Sequence, residues 1–97
     1  MRRAARTDAA HAAIRKALRK RGYIVADTHC LGNGYPDLHV SRDGLAVLVE
    51  VKSLDGELSP DELVFHRQWE GPLVIAFSVR DVLGWFEEHG DGKRAAR

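Results

Sequence analysis

The feature that most constrains the fold is the dipeptide Asp43-Gly44, which is flanked by two β-prone runs, residues 37–41 and 45–52. An Asp-Gly pair in this setting is the strongest short-range signal for a type I′ hairpin with a two-residue loop. In such a turn Arg42 pairs with Leu45, and each later pair keeps the same index sum. Asp37 is therefore predicted to lie directly opposite Glu50, on the same face of the sheet.

The predicted hairpin brings two acids and a lysine together. Two carboxylates at this distance repel each other unless a cation or a shared proton lies between them. Lys52 is two residues after Glu50, so its side chain shares that face. The set suits a hard divalent ion, Mg²⁺ or Mn²⁺, and phosphodiester hydrolysis, in which the lysine orients water or stabilises developing charge. The backbone carbonyl of Val51 is a further candidate ligand.

Ordinary structural roles are the alternative for these residues. Asp37 can be a turn acid at the entrance to a strand, and Glu50 and Lys52 can be a solvated pair at a sheet edge. The apolar run that leads into Glu50 favours the site interpretation.

Helical periodicity and capping signals predict the remaining elements. A first helix is expected over residues 7–21, with Thr7 or Asp8 as its cap and Gly22 as its stop. The sequence Ser59-Pro60-Asp61-Glu62 forms a capping box with proline at the first helical position, and it predicts a second helix to about residue 70. Further strands are expected at 23–28 and 73–77, and a third helix is expected to end at Gly90.

The order of elements is αβββαβα. It predicts an α/β fold with one mixed four-stranded sheet flanked by helices. The connection from strand 45–52 to strand 73–77 is long enough for a parallel crossover. We expect a single domain over residues 1–97, with a basic arm at 1–6 and a loose tail at 91–97.

Composition limits the class of protein. At 97 residues, 44% hydrophobic and 30% charged, the chain has the composition of a small globular domain, which a homodimer would help to stabilise. One cysteine, Cys30, excludes an internal disulfide framework, and no apolar stretch is long enough to span a bilayer. We therefore expect an intracellular, cytoplasmic protein without a membrane segment.

Positive charge is concentrated at the start of the chain. Residues 1–22 contain eight Lys or Arg residues and one acid, whereas the other 75 residues contain seven bases and thirteen acids. A basic segment beside an acidic body suggests a polyanion partner such as DNA; a solvated helix face is the alternative. The candidate DNA contacts are Arg2, Arg3, Arg6, His11, Arg15, Arg19, Asn33 and Tyr35.

The histidines carry weaker signals. His11 can face the site or contact phosphate, although a surface position on the first helix is the commoner role for such a residue. His66 is expected to pack beside Trp69, and His29 is expected to have no partner at ligand spacing. Asn33 and Tyr35 precede Asp37 in a loop, where a turn role is equally expected.

Several of these motifs occur together, in an order that resembles a known family. Gly34-Tyr35-Pro36-Asp37-Leu38, Glu50-Val51-Lys52, Leu58 to Glu62, and His66 through Trp69-Glu70-Gly71 resemble the virus-type replication-repair nucleases (VRR-NUC), a branch of the PD-(D/E)XK superfamily. The likeness covers about residues 6–85 and is greatest to short phage-encoded members.

The resemblance implies a restriction-endonuclease-like core, DNA as substrate, and Mg²⁺ or Mn²⁺ held by Asp37 and Glu50, with Lys52 as a catalytic residue. It also implies homodimers that cut structured or branched DNA, and no organic cofactor. Asp8 matches the family's usual acid and is expected to reach the metal through water. Glu62 stands where the family usually has Gln, and is expected to orient water. Ala10 and His11 stand where the family usually has Asn and Gln.

Two other classes of function fit the same residues. The chain can be a catalytically inactive nucleic-acid-binding module that keeps the fold. It can also be a structural subunit that requires another chain.

Overall fold

A computed structural model describes the backbone of residues 2–95 and the side chains of residues 9–90. Its helices and strands follow the predicted order and form an α/β fold with a four-stranded mixed sheet. The helices are α1 (Arg2–Lys20), α2 (Pro60–Gln68) and α3 (Val79–Ala95), and the strands are β1 (Ile24–Asp27), β2 (Leu38–Arg42), β3 (Leu45–Val51) and β4 (Leu73–Ala76). A 3₁₀ turn, His29–Leu31, follows β1.

The sheet has the order β1-β2-β3-β4. The first three strands are antiparallel neighbours, and β4 runs parallel to β3. The predicted parallel crossover through α2 is thus confirmed. A hairpin alone cannot join parallel strands, because the chain must return to the starting end.

Alternation along β3 divides the sheet into two faces. Val47, Val49 and Val51 pack into the main core with residues of α1 and α3, among them Ile14, Leu18, Val82 and Phe86. The intervening residues of β3 point to the opposite face, where α2 lies over Glu50. We call these the core face and the α2 face. Among the described residues, no helix is long and apolar enough to cross a membrane.

Two predicted helix ends are wrong. α1 begins at Arg2 rather than at Thr7 or Asp8, so residues 2–6 continue the helix instead of forming an arm. α3 continues to Ala95, past the predicted stop at Gly90. Gly90 is buried inside the helix, and a Cβ there would make only an ordinary contact with the Leu45 side chain, at 3.6 Å.

The end of α1 follows its prediction. Gly22 has φ +91°, and its N–H donates to the Arg19 carbonyl at 3.0 Å. The Tyr23 N–H donates to the Leu18 carbonyl at 3.1 Å. This pair of hydrogen bonds is a Schellman motif, in which glycine supplies the left-handed residue that turns the chain toward β1.

Candidate functional site

The β2–β3 hairpin has the predicted turn and, as far as Leu38, the predicted register. Asp43 and Gly44 have φ +53° and +83°, as a type I′ turn requires. Arg42 pairs with Leu45, and the same index sum holds as far as the last strand pair, Leu38 with Val49. Beyond Leu38 the Asp37 N–H donates to the Val49 carbonyl at 3.0 Å, so the paired register does not extend to Asp37 and Glu50. The two carboxyl groups are nevertheless close, because the charge of Asp37 and a side-chain hydrogen bond with it both raise the pKa of Glu50.

Asp37 is held by the backbone across the ribbon. Its Oδ2 accepts a hydrogen bond from the Val51 N–H at 2.8 Å. Because the N–H and C=O of a strand residue point to the same side, the Val51 carbonyl is directed toward the Asp37 strand as well. Asp37 therefore has a structural role at the end of the ribbon, and the candidate ligand atoms of Asp37 and Val51 share one edge.

Glu50 is a buried acid. Its side chain is 1% exposed, and burial, together with the negative charges of Asp37 and Glu62, raises the pKa of Glu50 to about 10, although Lys52 opposes the shift. The acid is therefore protonated at neutral pH. Its Oε1 is buried and makes no hydrogen bond. An isolated charge at this position would be very costly, so the site favours either a proton or a cation.

His66 of α2 lies over Glu50, with its Nε2 3.6 Å from Glu50 Oε1. The pKa of His66 is lowered, chiefly because its ring is removed from water and also because Lys52 is near, although Glu62 opposes the shift. Neutral His66 and protonated Glu50 form no ion pair, and His66 Nε2 is itself without a hydrogen bond. Packing, the role expected for His66, therefore does not account for its unpaired ring nitrogen. His66 stands four residues after Glu62 in α2, a spacing that puts both on one helix face and that could have placed it at the site.

Glu62 joins the capping box of α2 to the site. Its Oε1 accepts a hydrogen bond from the Ser59 N–H at 2.8 Å and is also 2.8 Å from Lys52 Nζ. Burial by itself would raise the pKa of Glu62, but the Lys52 ammonium and the Ser59 N–H lower it below its usual value. Glu62 is thus an ionised carboxylate that fixes the Lys52 ammonium on the α2 face.

The loop before Asp37 packs against the start of α2. Gly34 has φ +81°, and a Cβ there would be 2.3 Å from the Asp61 carbonyl oxygen, which only glycine avoids. The Tyr35 ring makes an edge contact with Phe65, with ring centroids 5.1 Å apart. Asn33 is exposed and has φ +54°. The loop therefore positions α2, and with it Glu62, relative to the β-ribbon.

The described basic residues of α1 are not beside Glu50. Arg15 donates to the Asp27 carboxylate, and Arg19 donates to the Val25 carbonyl at 2.8 Å. α1 packs on the core face, whereas Glu50 lies on the α2 face. The side chains of Arg2, Arg3, Arg6 and Asp8 lie outside the described residues, so the expected contact of Asp8 with a metal is not addressed.

Two expectations about histidines are wrong. His11 is not a surface residue but is 4% exposed, with its Nε2 3.4 Å from Asp27 Oδ1. His29 does have a partner, since its Nδ1 is 3.7 Å from the same oxygen. Among the described side chains, one group could hold a metal ion, because its potential ligand atoms all lie within 4.8 Å of one another. The group consists of His11, Asp27 and His29. In the sequence, the only sign of this group is that Asp27 and His29 are two residues apart.

Comparison of the chain with protein-family models, with curated proteins and with solved structures found no match. The chemical interpretation therefore rests on the geometry of the residues. On the α2 face, that geometry combines carboxyl groups, an ammonium and an imidazole around one unsatisfied buried oxygen.

Proposed function

We propose that this chain is a divalent-metal-dependent DNA endonuclease with a restriction-endonuclease-like core. The observation that carries the proposal is the closeness of the Asp37 and Glu50 carboxyl groups at the end of the β-ribbon, beside the Val51 carbonyl and the Lys52 ammonium. An acid pair, a backbone carbonyl and an ammonium on one edge can serve both cation binding and phosphate chemistry.

The residues fit a hard cation. Asp37, Glu50 and the Val51 carbonyl supply oxygen donors, which Mg²⁺ and Mn²⁺ prefer, and Glu50 Oε1 accepts no hydrogen bond. Burial raises the pKa of Glu50 most, and the negative charges of Asp37 and Glu62 raise it further; a divalent ion would relieve the part that comes from those charges. When bound, the ion would acidify a water and neutralise charge on the phosphate.

Lys52 and Glu62 have complementary roles in this proposal. Lys52 places positive charge on the Glu50 face, where it can stabilise the charge that develops on a phosphate oxygen. Glu62 holds the Lys52 Nζ at 2.8 Å and so restricts its position. Its free acceptor capacity can orient an attacking water. The proposal therefore makes Glu62 both a positioning residue for Lys52 and a candidate water-orienting group.

The choice of DNA rests on charge and on the resemblance to VRR-NUC nucleases. The basic segment 1–22 supplies sequence-independent attraction to a polyanion. Because the described part of that helix lies on the core face, we expect it to attract and orient DNA instead of contacting the phosphate that is cut. Branched or structured DNA is the substrate class that the resemblance favours, in phage or bacterial DNA processing.

The test is cleavage of linear duplex, branched and single-stranded DNA, and of RNA, in Mg²⁺, in Mn²⁺ and in chelator. The variants are Asp37→Asn and Lys52→Met, and the matched control is Asp55→Asn, an exposed loop acid. Asn keeps an oxygen that can accept the Val51 N–H, so Asp37→Asn should fold. We expect metal-dependent cleavage that both variants lose and the control keeps.

Two results would overturn the proposal. Cleavage by Asp37→Asn or Lys52→Met at the parent rate would separate the activity from these residues. Binding of DNA without cleavage under any metal would instead identify an inactive binding module. Binding itself should weaken steeply as salt rises, because phosphate contacts release condensed counterions.

We also propose that the active species is a homodimer. Among the described residues, five of the eight exposed large apolar side chains lie on or just after α2 and on or just after the edge strand β4, namely Leu63, Val64, Trp69, Ile75 and Phe77. The other three, Ile24, Leu31 and Leu54, lie elsewhere. Light scattering over a concentration series tests this, and a monomer at every concentration would contradict it.

A further inference from the structure

A second group of ligand-type side chains lies apart from Glu50. His11 comes from α1, Asp27 is the last residue of β1, and His29 begins the 3₁₀ turn. Asp27 pairs with Leu38, which packs into the core, so Asp27 lies on the core-face side of the sheet. Glu50 lies on the α2 face. We call His11, Asp27 and His29 the histidine cluster.

Two donor-atom separations in the histidine cluster are close to those around a tetrahedral ion, and all three donor atoms lie within 4.8 Å of one another. His11 Nε2 and His29 Nδ1 are 3.4 Å and 3.7 Å from Asp27 Oδ1. Ligands at about 2.1 Å from a tetrahedral centre are about 3.4 Å from one another. Direct hydrogen bonds between such atoms would be shorter, at about 2.7–3.2 Å. The observed separations therefore suit an ion held between the atoms better than contacts between them.

His11 provides an independent sign of a missing partner. The residue is 4% exposed, and its Nε2 is buried without a hydrogen bond. Buried ring nitrogens are ordinarily paired, because an unpaired one loses its water without compensation. The nitrogen faces Asp27 Oδ1 across 3.4 Å, the gap in which a cation would bond to both atoms.

Asp27 is oriented as a ligand that uses one oxygen. Arg15 donates to Oδ2, and the His29 N–H donates to Oδ1 at 3.3 Å. Outer groups that hold a ligating carboxylate in this way are typical of metal sites. Oδ1 is left facing both imidazoles, so Arg15 orients the carboxylate without occupying the oxygen that an ion would use.

We infer that the histidine cluster binds one Zn²⁺, or a similar first-row divalent ion, through His11 Nε2, Asp27 Oδ1 and the His29 ring, with water at the fourth position. Two imidazoles and one carboxylate suit zinc, whereas magnesium prefers oxygen donors alone. The ion would fasten α1 to the end of β1. This site is separate from the cation site of the proposed nuclease and does not depend on that activity.

The test is calorimetric titration of the full chain with Zn²⁺, together with the visible spectrum of Co²⁺ as a probe of four-coordination. We expect one equivalent to bind, and the same in Glu50→Gln. His29→Ala should lose at least about 100-fold in affinity, and Arg15→Met, which removes only the outer partner, about 10-fold. The matched control His39→Ala changes an exposed β2 histidine outside the cluster and should bind as the parent does.

Thermal unfolding gives a second readout without any activity. Zinc should raise the Tm of the parent and of His39→Ala but not that of His29→Ala, whose exposed side chain can be removed with the fold intact. Three results would overturn the inference: no zinc binding by the parent, undiminished binding by His29→Ala, or loss of binding in Glu50→Gln. The last would place the ion at the carboxylate site.

Discussion

Replacement of Glu50 by Gln should make the protein more stable. The pKa of Glu50 is about 10 in the folded protein and 4.5 in the absence of its surroundings, chiefly because the side chain is buried and then because Asp37 and Glu62 are negative. Between these two values the folded state keeps a proton that the unfolded chain releases. The contribution of protonated Glu50 to the free energy of unfolding is therefore complete below pH 4.5 and is lost as pH rises toward 10.

The structure sets the size of the effect. Each pH unit in this window lowers the free energy of unfolding by about 1.4 kcal/mol, so the loss at pH 7 is about 3 kcal/mol. Gln has nearly the shape of protonated Glu and does not titrate. We therefore expect Glu50→Gln to be more stable than the parent by about 3 kcal/mol at pH 7, a large fraction of the stability of a small domain.

Urea unfolding in chelator at pH 7, 8 and 9 measures this. The neighbouring shifts do not interfere, because the lowered pKa values of His66 and Glu62 affect stability only below pH 6.5 and 4.5. From pH 7 to 9 the parent should lose about 3 kcal/mol and Glu50→Gln much less. The control Glu57→Gln, at an exposed position, should follow the parent.

The reasoning has a clear refutation. A parent whose unfolding free energy is level from pH 7 to 9, or a Glu50→Gln protein no more stable than the parent at pH 7, would mean that Glu50 is ionised in the folded protein. When Mg²⁺ replaces the chelator in the same urea unfolding, it should stabilise the parent and leave Glu50→Gln unchanged, because only the parent can exchange a proton for the ion.

Three further changes have defined outcomes. Gly34→Ala should destabilise the protein by on the order of 2 kcal/mol in urea unfolding, because a Cβ at this positive φ would meet the backbone of Asp61. Glu62→Ala should lower the free energy of unfolding by about 1–2 kcal/mol, because it removes both the helix cap and the contact with Lys52. Glu62→Gln keeps an acceptor oxygen and should lower it by less than half as much in the same assay. Leu38→Ala in the core should cost about 2–5 kcal/mol, and Leu54→Ala, 87% exposed, should lie within about 0.5 kcal/mol of the parent in thermal or urea unfolding.

Features with local causes could be predicted from the sequence. The type I′ turn at Asp43-Gly44 depends on residues that tolerate positive φ, and it fixed the register as far as Leu38. The capping box of Ser59 and Glu62 depends on side chains three residues apart, and both of its hydrogen bonds form. In each case the atoms that decide the geometry are neighbours in the chain.

Features that depend on distant packing could not be predicted. Gly90 is buried within α3, which continues to Ala95, and a glycine in sequence does not show whether it lies inside a helix or ends one. The burial of His11 depends on how α1 lies against β1. The histidine cluster unites residues from a helix, a strand and a turn. Only the assembled fold brings these donor atoms together.

The carboxylate of Glu62 sets the charge balance around Glu50 on the α2 face. Glu62 raises the pKa of Glu50 by adding negative charge, and Lys52 lowers it, while Glu62 and Lys52 pair with each other. The negative charge of Glu62 therefore offsets the positive charge of Lys52, which by itself would favour the ionised form of Glu50. The consequence is competition between a proton and a divalent cation for Glu50 at neutral pH. A cation that binds here must displace that proton, so its affinity should increase as pH rises, in the same range in which the cation-free fold loses stability.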